Sequence, residues 1–200
     1  IKKNNIGVIK MEVVRNFDPE NNFLKKVRDL ATKNNIVLVF DECTSGFRET
    51  YGGIFKKYNI VPDIAMFGKT MGNGYAITAV VGRRAIMESA QKTFISSTFW
   101  TERVGPAAAI KSLEVMEKIK SWEIISAIGC KVRLGWKELA ETYNLSISIS
   151  GIPSVSAFSF NSKNSLAYKT LLTQEMLKKG FLASTNFYAC ISHKNQKIQS

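Results

Sequence analysis

Two short apolar runs dominate the first half of the chain, Ile-Val-Leu-Val-Phe at 36–40 and Ile-Ala-Met-Phe at 64–67. A run that stays apolar at every position, rich in β-branched and aromatic residues, predicts a strand covered on both faces, as in a parallel sheet. Residues 6–14 predict an earlier strand and 78–82 a later one. Between the first two strands, Phe23, Leu24, Val27, Leu30 and Ala31 recur at helical spacing, so one face of that segment is expected to pack inward. Asp18-Pro19-Glu20 supplies a start signal: a capping carboxylate, a proline at the first helical position and an acid in the first turn. Asn34-Asn35 stops the helix. Strand, helix, strand at this spacing predicts a βαβ unit with a right-handed crossover.

After residue 82 the pattern turns helical. Residues 83–91 predict a short helix, 95–101 a loop and 103–119 a longer helix that packs Ala107, Ala108, Ala109, Ile110, Leu113 and Met116. Ser121 is placed to cap another helix, whose stripe runs through Trp122, Ile125, Ile128, Val132, Trp136, Leu139 and Tyr143. Strand-like stretches follow at 146–150 and 154–160, joined by a tight Gly151-Ile152-Pro153 link. Residues 165–179 predict a helix closed by Gly180, and 181–183 and 187–191 two further short strands. The reading is α/β, a mainly parallel sheet with flanking helices over residues 1–118, followed by a smaller α+β domain over 119–200.

Composition adds limits. Two hundred residues, 45% of them hydrophobic, can bury a sizeable core. No apolar run reaches membrane-spanning length, and no membrane association is expected. The chain opens without a methionine and closes on a polar stretch, which suggests a piece of a longer protein. Cys43, Cys130 and Cys190 are widely spaced and odd in number, matching neither a disulfide framework nor a metal site; a reducing cytoplasm is the expected compartment. The net charge of +12 comes from 28 basic and 16 acidic residues. The lysines are scattered over helix surfaces without a dense aromatic-interleaved run, so a solvated surface is expected rather than a nucleic-acid interface.

Several motifs lead nowhere. Gly68-Lys69-Thr70 ends like a phosphate-binding loop, but Asp63 stands where that loop needs its first glycine. Gly72-Asn73-Gly74 begins like a dinucleotide fingerprint, but Ile77 stands where its third glycine belongs. His193 is the sole histidine, so no Ser/His/Asp triad can be built around another residue. What remains is an acid and an amine, each at a carboxyl strand end, where open α/β sheets bind ligands. Asp41 and Glu42 follow the first apolar run, and Lys69 arrives two residues after the second. Singly, an acid here is usually a cap and a lysine beside glycines is usually solvated. Together they could serve one ligand. Met66 and Phe67 would half-bury Lys69 and lower its pKa, exposing a nucleophilic amine able to condense with an aldehyde. Gly68, Gly72 and Gly74 would let backbone approach the ligand. A carboxylate facing a protonated pyridine nitrogen, across one ring from an aldehyde, describes pyridoxal 5'-phosphate (PLP).

The sequence DECTSGFR, with the lysine of FGKTMGNG 28 positions after its aspartate, resembles the class III, fold-type I PLP-dependent aminotransferases, most of all the glutamate-1-semialdehyde aminomutase-like branch. The likeness runs from KMEVV to about Tyr188, covering the later large domain and most of the C-terminal small domain of that family. It implies Lys69 as the Schiff-base lysine and proton carrier, and Asp41 as partner of the ring nitrogen. Cys43 takes the place of a valine against the ring face, and Thr44 that of a glutamine or methionine near the ring hydroxyl. Thr98, within Ser97-Thr98-Phe99, matches a threonine that reaches the phosphate of the neighbouring subunit's cofactor, implying a homodimer with composite sites. Glu12 matches the acid of a Glu-Pro element with Val13 in place of the proline, and is given no direct contact. The implied reaction moves an amino group from a small-molecule donor to an aldehyde or keto acceptor; an intramolecular 2,1-aminomutase is the alternative. The phosphate cradle and ring-stacking aromatic belong to the preceding part of the family's large domain, so the 200 residues by themselves are expected to bind cofactor poorly.

Overall fold

The computed structural model describes residues 5–193. The chain divides into two compact units between Lys120 and Ser121.

The first unit is built on a four-stranded sheet in the order β1-β2-β3-β4, comprising Val8–Met11, Val37–Asp41, Ile64–Phe67 and Ala79–Gly82. The first three strands are parallel and the last is antiparallel to its neighbour. The run at 36–40 behaves as its composition requires: Leu38, Val39 and Phe40 are all buried. β1 is shorter than the pattern suggests, because only residues 8–11 pair with β2; Val13 and Val14 are buried beyond the strand end.

Helix α1 (Phe23–Lys33) connects β1 to β2. It starts later than Asp18-Pro19 predicts. Asn21 and Asn22 take left-handed backbone angles, φ 52° and 57°, and the Phe23 amide closes a turn onto the Glu20 carbonyl at 2.9 Å. Asparagine tolerates that conformation better than most residues. The Asp18 carboxylate caps nothing and accepts the Tyr58 hydroxyl at 2.9 Å. Leu24 and Ala31 form the buried edge of α1, while Phe23 and Leu30, expected inside, are exposed. Asn35, also left-handed at φ 52°, ends the helix and turns the chain into β2.

Beyond β4 come α2 (Arg84–Met87), continued as a 3-10 turn over Glu88–Lys92, and α3 (Val104–Ile119). Ala109 and Met116 of α3 join Phe47, Ala65, Phe67 and Met71 in the core that backs the end of β3, flanked by Tyr51, Phe55 and Leu113. The expected packing of Ile110 fails; it points outward.

The second unit holds α4 (Ser121–Thr142), the antiparallel strands β5 (Ile147–Ile152) and β6 (Val155–Phe160), α5 (Ser165–Lys178) and β7 (Asn186–Tyr188). The tight link falls at Pro153-Ser154. Helix α4 reaches it through Gly129, where any Cβ would overlap the Pro153 carbonyl. Arg133 of α4 donates to Ser156 Oγ at 2.6 Å and to the carbonyls of Ser150 (3.0 Å) and Gly151, tying helix to hairpin. Trp136 stacks edge-on against Phe158 at 4.8 Å, but the stripe drifts outward at Leu139 and Tyr143, and Ala140 is buried instead. Gly180 follows α5 with φ 83°, and 181–183 forms no strand.

Candidate active site

Parallel pairing sets the site. Asp41 ends β2 opposite Met66 of β3, and β3 leads through Gly68 to Lys69. Acid and lysine therefore leave adjacent strands at the same sheet edge. Lys69 opens a 3-10 turn, Lys69–Met71, with φ 45°. A left-handed angle is uncommon for a residue with a long side chain, and such strain, on the order of 1–3 kcal/mol, clusters at functional positions. The half-burial expected for Lys69 is absent. Its side chain is exposed, and its Nζ donates to Thr44 Oγ1 at 2.7 Å. Gly72 serves the turn rather than a ligand, since a Cβ there would overlap the Tyr75 carbonyl.

Asp41 is partly buried and its two oxygens are separately engaged. Oδ1 accepts the Cys43 amide at 3.1 Å, and Oδ2 pairs with Lys10 Nζ at 2.9 Å. The Lys10 hydrogen bond is the main reason that its carboxyl lies below the usual aspartate range; burial opposes this, and Cys43 reinforces it. Cys43 sits between the two groups: its Sγ lies 3.5 Å from where a Gly68 Cβ would be. Burial raises its thiol first, then the Asp41 hydrogen bond and charge, against the positive charges of Lys69 and Lys10.

Glu42 does not join the ligand edge with Asp41. It is fully buried on the other side, where its carboxylate accepts Ser45 Oγ at 2.5 Å and the Phe55 amide at 3.1 Å. Its pKa is raised by burial, against those hydrogen bonds. Glu42 thus pins both ends of the 43–55 loop that presents Cys43 and Thr44. Glu12 is engaged by Arg15 at 2.6 Å. Thr98 lies on an exposed turn and makes no hydrogen bond to the other four candidates among the described residues.

The structure brings Asp41, Cys43, Thr44 and Lys69 to one edge, leaves Thr98 apart, and adds Lys10. Lys10 is on β1, partnered with Val39, and so shares a sheet face with Asp41 two residues further on. In the sequence it is one more lysine in an apolar stretch. Only the alternation along the strand combined with the register could have singled it out.

A mainly parallel sheet with an acid and a lysine at adjacent strand ends places the chain among the α/β proteins that present a ligand site at the carboxyl edge of the sheet. Residues 16–188 match the class-III aminotransferase family, and the chain belongs to it. It is 36% identical over 157 residues to a 3-aminobutyryl-CoA aminotransferase of Cloacimonas acidaminovorans, a match covering 78% of this chain and 38% of the relative. It is 32% identical over 167 residues to a glutamate-1-semialdehyde 2,1-aminomutase of Methanococcoides burtonii, covering 82% and 39%. The fold superposes on the FumI protein of Sphingopyxis, solved in its PLP internal aldimine form, with a TM-score of 0.86 at 22% identity, covering 97% of this chain and 49% of that one. The chain thus spans about two fifths of the length of these curated relatives.

Proposed function

We propose that this chain is the lysine-bearing part of a PLP-dependent aminotransferase acting on an aldehyde or keto acceptor. One observation carries the reading: Lys69 Nζ is presented at the end of β3, held by Thr44, beside an ionised Asp41 at the end of β2. The residues present fit the cofactor. Asp41, kept anionic, suits a cationic ring nitrogen, Lys69 suits the aldehyde carbon, and the half-buried Cys43 with Thr44 offers a wall for the ring.

When bound, PLP supplies an electrophilic carbon and an electron-withdrawing ring. Lys69 would hold the cofactor's aldehyde end and, once freed as an amine, would carry the proton from the substrate's amine-bearing carbon to the cofactor's aldehyde carbon. Thr44 Oγ1 fixes the position of Lys69 Nζ. Asp41 keeps a proton on the ring nitrogen by remaining negative, and the Cys43 amide holds that carboxylate in place. Thr98 is assigned to the phosphate of a second subunit's cofactor, which makes the enzyme a homodimer. A cytoplasmic location accords with three free cysteines. Among the described residues no helix is long and apolar enough to cross a membrane.

The test is borohydride reduction of the full-length protein with PLP, followed by peptide mapping. The label is expected on Lys69, and Lys69→Ala should lose turnover by at least ~10²–10⁴-fold, the scale of a positioned proton carrier. Label on another lysine, or a Lys69→Ala variant with unchanged transamination, would end the reading. The 32% identity to an aminomutase supports the second reading, an internal amino shift. Supplying one amino-aldehyde substrate without a separate acceptor decides between them.

A further inference from the structure

Asp41 already has a cation. Lys10 Nζ sits 2.9 Å from Oδ2, while Oδ1 is committed to the Cys43 amide. A protonated ring nitrogen approaching this carboxylate therefore meets a like charge already paired with Oδ2, beside an Oδ1 that the Cys43 amide engages. The four-carbon stem of Lys10 starts on β1 and runs along the shared sheet face to the carboxyl edge, where its end is about half exposed. Such a flexible ammonium can leave for solvent at small cost. The charges that bear on Lys10 are Asp41, which holds it, with weaker contributions from Cys43 and Glu12.

We propose that Lys10 is the resident counter-ion of Asp41, and that the ring nitrogen of PLP must displace it, so that Lys10 sets the affinity for the cofactor. This rests on the assignment of Asp41 to the ring nitrogen. Lys10 keeps the buried-edge carboxylate ionised and in place before the cofactor arrives, and the strength of that pair is subtracted from PLP binding.

The test uses the apo form of the full-length protein and equilibrium dialysis against two ligands that cannot condense with Lys69. These are pyridoxine 5'-phosphate and its analogue with carbon in place of the ring nitrogen. Lys10→Met is expected to bind pyridoxine 5'-phosphate about fivefold more tightly than the parent, the scale of one partly exposed ion pair. Lys10→Arg, which keeps the pair, should match the parent. The carbon analogue should bind all three proteins alike. Equal affinity of the parent and Lys10→Met for pyridoxine 5'-phosphate overturns the role of Lys10. So does an equal gain for both ligands, since it would mean that Lys10 obstructs by bulk. Asp41→Asn separates the two levels of inference: if it binds both ligands as the parent does, Asp41 is not the ring-nitrogen partner and the functional reading itself fails. Should Lys10→Met fold poorly, Lys10→Gln removes the charge with a shorter polar side chain, and the same comparison applies.

Discussion

Single side chains decide whether the site exists. Glu42 is a buried carboxylate with two donors, so its removal and its neutralisation should differ. Glu42→Ala strands the Phe55 amide and opens a void, and is expected to destabilise by about 2–5 kcal/mol. Glu42→Gln keeps an acceptor for Phe55 and a polar partner for Ser45, and should cost under about 1.5 kcal/mol. Denaturant unfolding of the full-length variants checks both, and equal losses would show that the loop does not depend on these bonds. Thr44→Val removes the partner of Lys69 Nζ with little change of shape. It should reduce kcat by about tenfold and leave cofactor in place, measured by turnover and bound PLP on the same sample.

Elements meet at places where one atom too many would separate them. Gly129 lets α4 lie on the Pro153 carbonyl, and Arg133 bonds two neighbouring carbonyls of β5, those of Ser150 and Gly151. Gly129→Ala should therefore push the helix off the hairpin and destabilise by about 1–3 kcal/mol, whereas Gly135→Ala, with open space around it, should be neutral or slightly stabilising. A helix interior ordinarily gains from that exchange, so opposite signs at two glycines of one helix would isolate the packing effect. In the first unit, Asp63 ties elements together by charge. It accepts Arg28 of α1 at 2.8 Å, Arg83 beyond β4 at 2.9 Å and the Leu38 amide of β2 at 2.9 Å. Burial pushes its carboxyl up, but these donors together outweigh burial and hold it below the usual value.

For the molecule as a whole, two carboxylates with opposite shifts shape the acid side of stability. The Asp63 pKa is depressed, so its contribution is complete above the ordinary value near 3.8 and is lost as pH falls through the lower folded value. The Glu42 pKa is raised, so the folded state holds its proton more tightly; that contribution fades as pH rises from about the ordinary 4.5 through the higher folded value. Asp63→Asn should flatten the loss below pH 4, and Glu42→Gln should remove the decline above pH 4.5, read from unfolding midpoints against pH. The sheet sets another whole-molecule property. β1 and β4 each pair on one side only among the described residues, and Val8, Val80 and Val81 are half exposed. Open apolar edges invite pairing between chains. The 200 residues alone are expected to self-associate at micromolar concentration by light scattering, and a chain of the relatives' length should stay dispersed.

Local chemistry was enough to read much of this from the amino-acid order. Unbroken apolar runs found β2 and β3, helical spacing found α1, α3 and α4, Gly180 marked the end of α5, and the acid-to-lysine spacing pointed to Asp41 and Lys69. Those features depend on neighbours a few positions apart. Signals that several conformations can satisfy misled: Asp18-Pro19 resembles a cap, yet Tyr58, 40 positions away, claims the carboxylate. Sheet register is equally remote from the sequence. It placed Lys10 beside Asp41, turned Glu42 inward while its neighbour faced the edge, and left Lys69 exposed against Thr44. Which residues could do the chemistry was written in their types and spacing. Which of them meet, and which oxygen is already taken, depended on strands pairing across long stretches of chain, where one residue of slip would reverse every side chain.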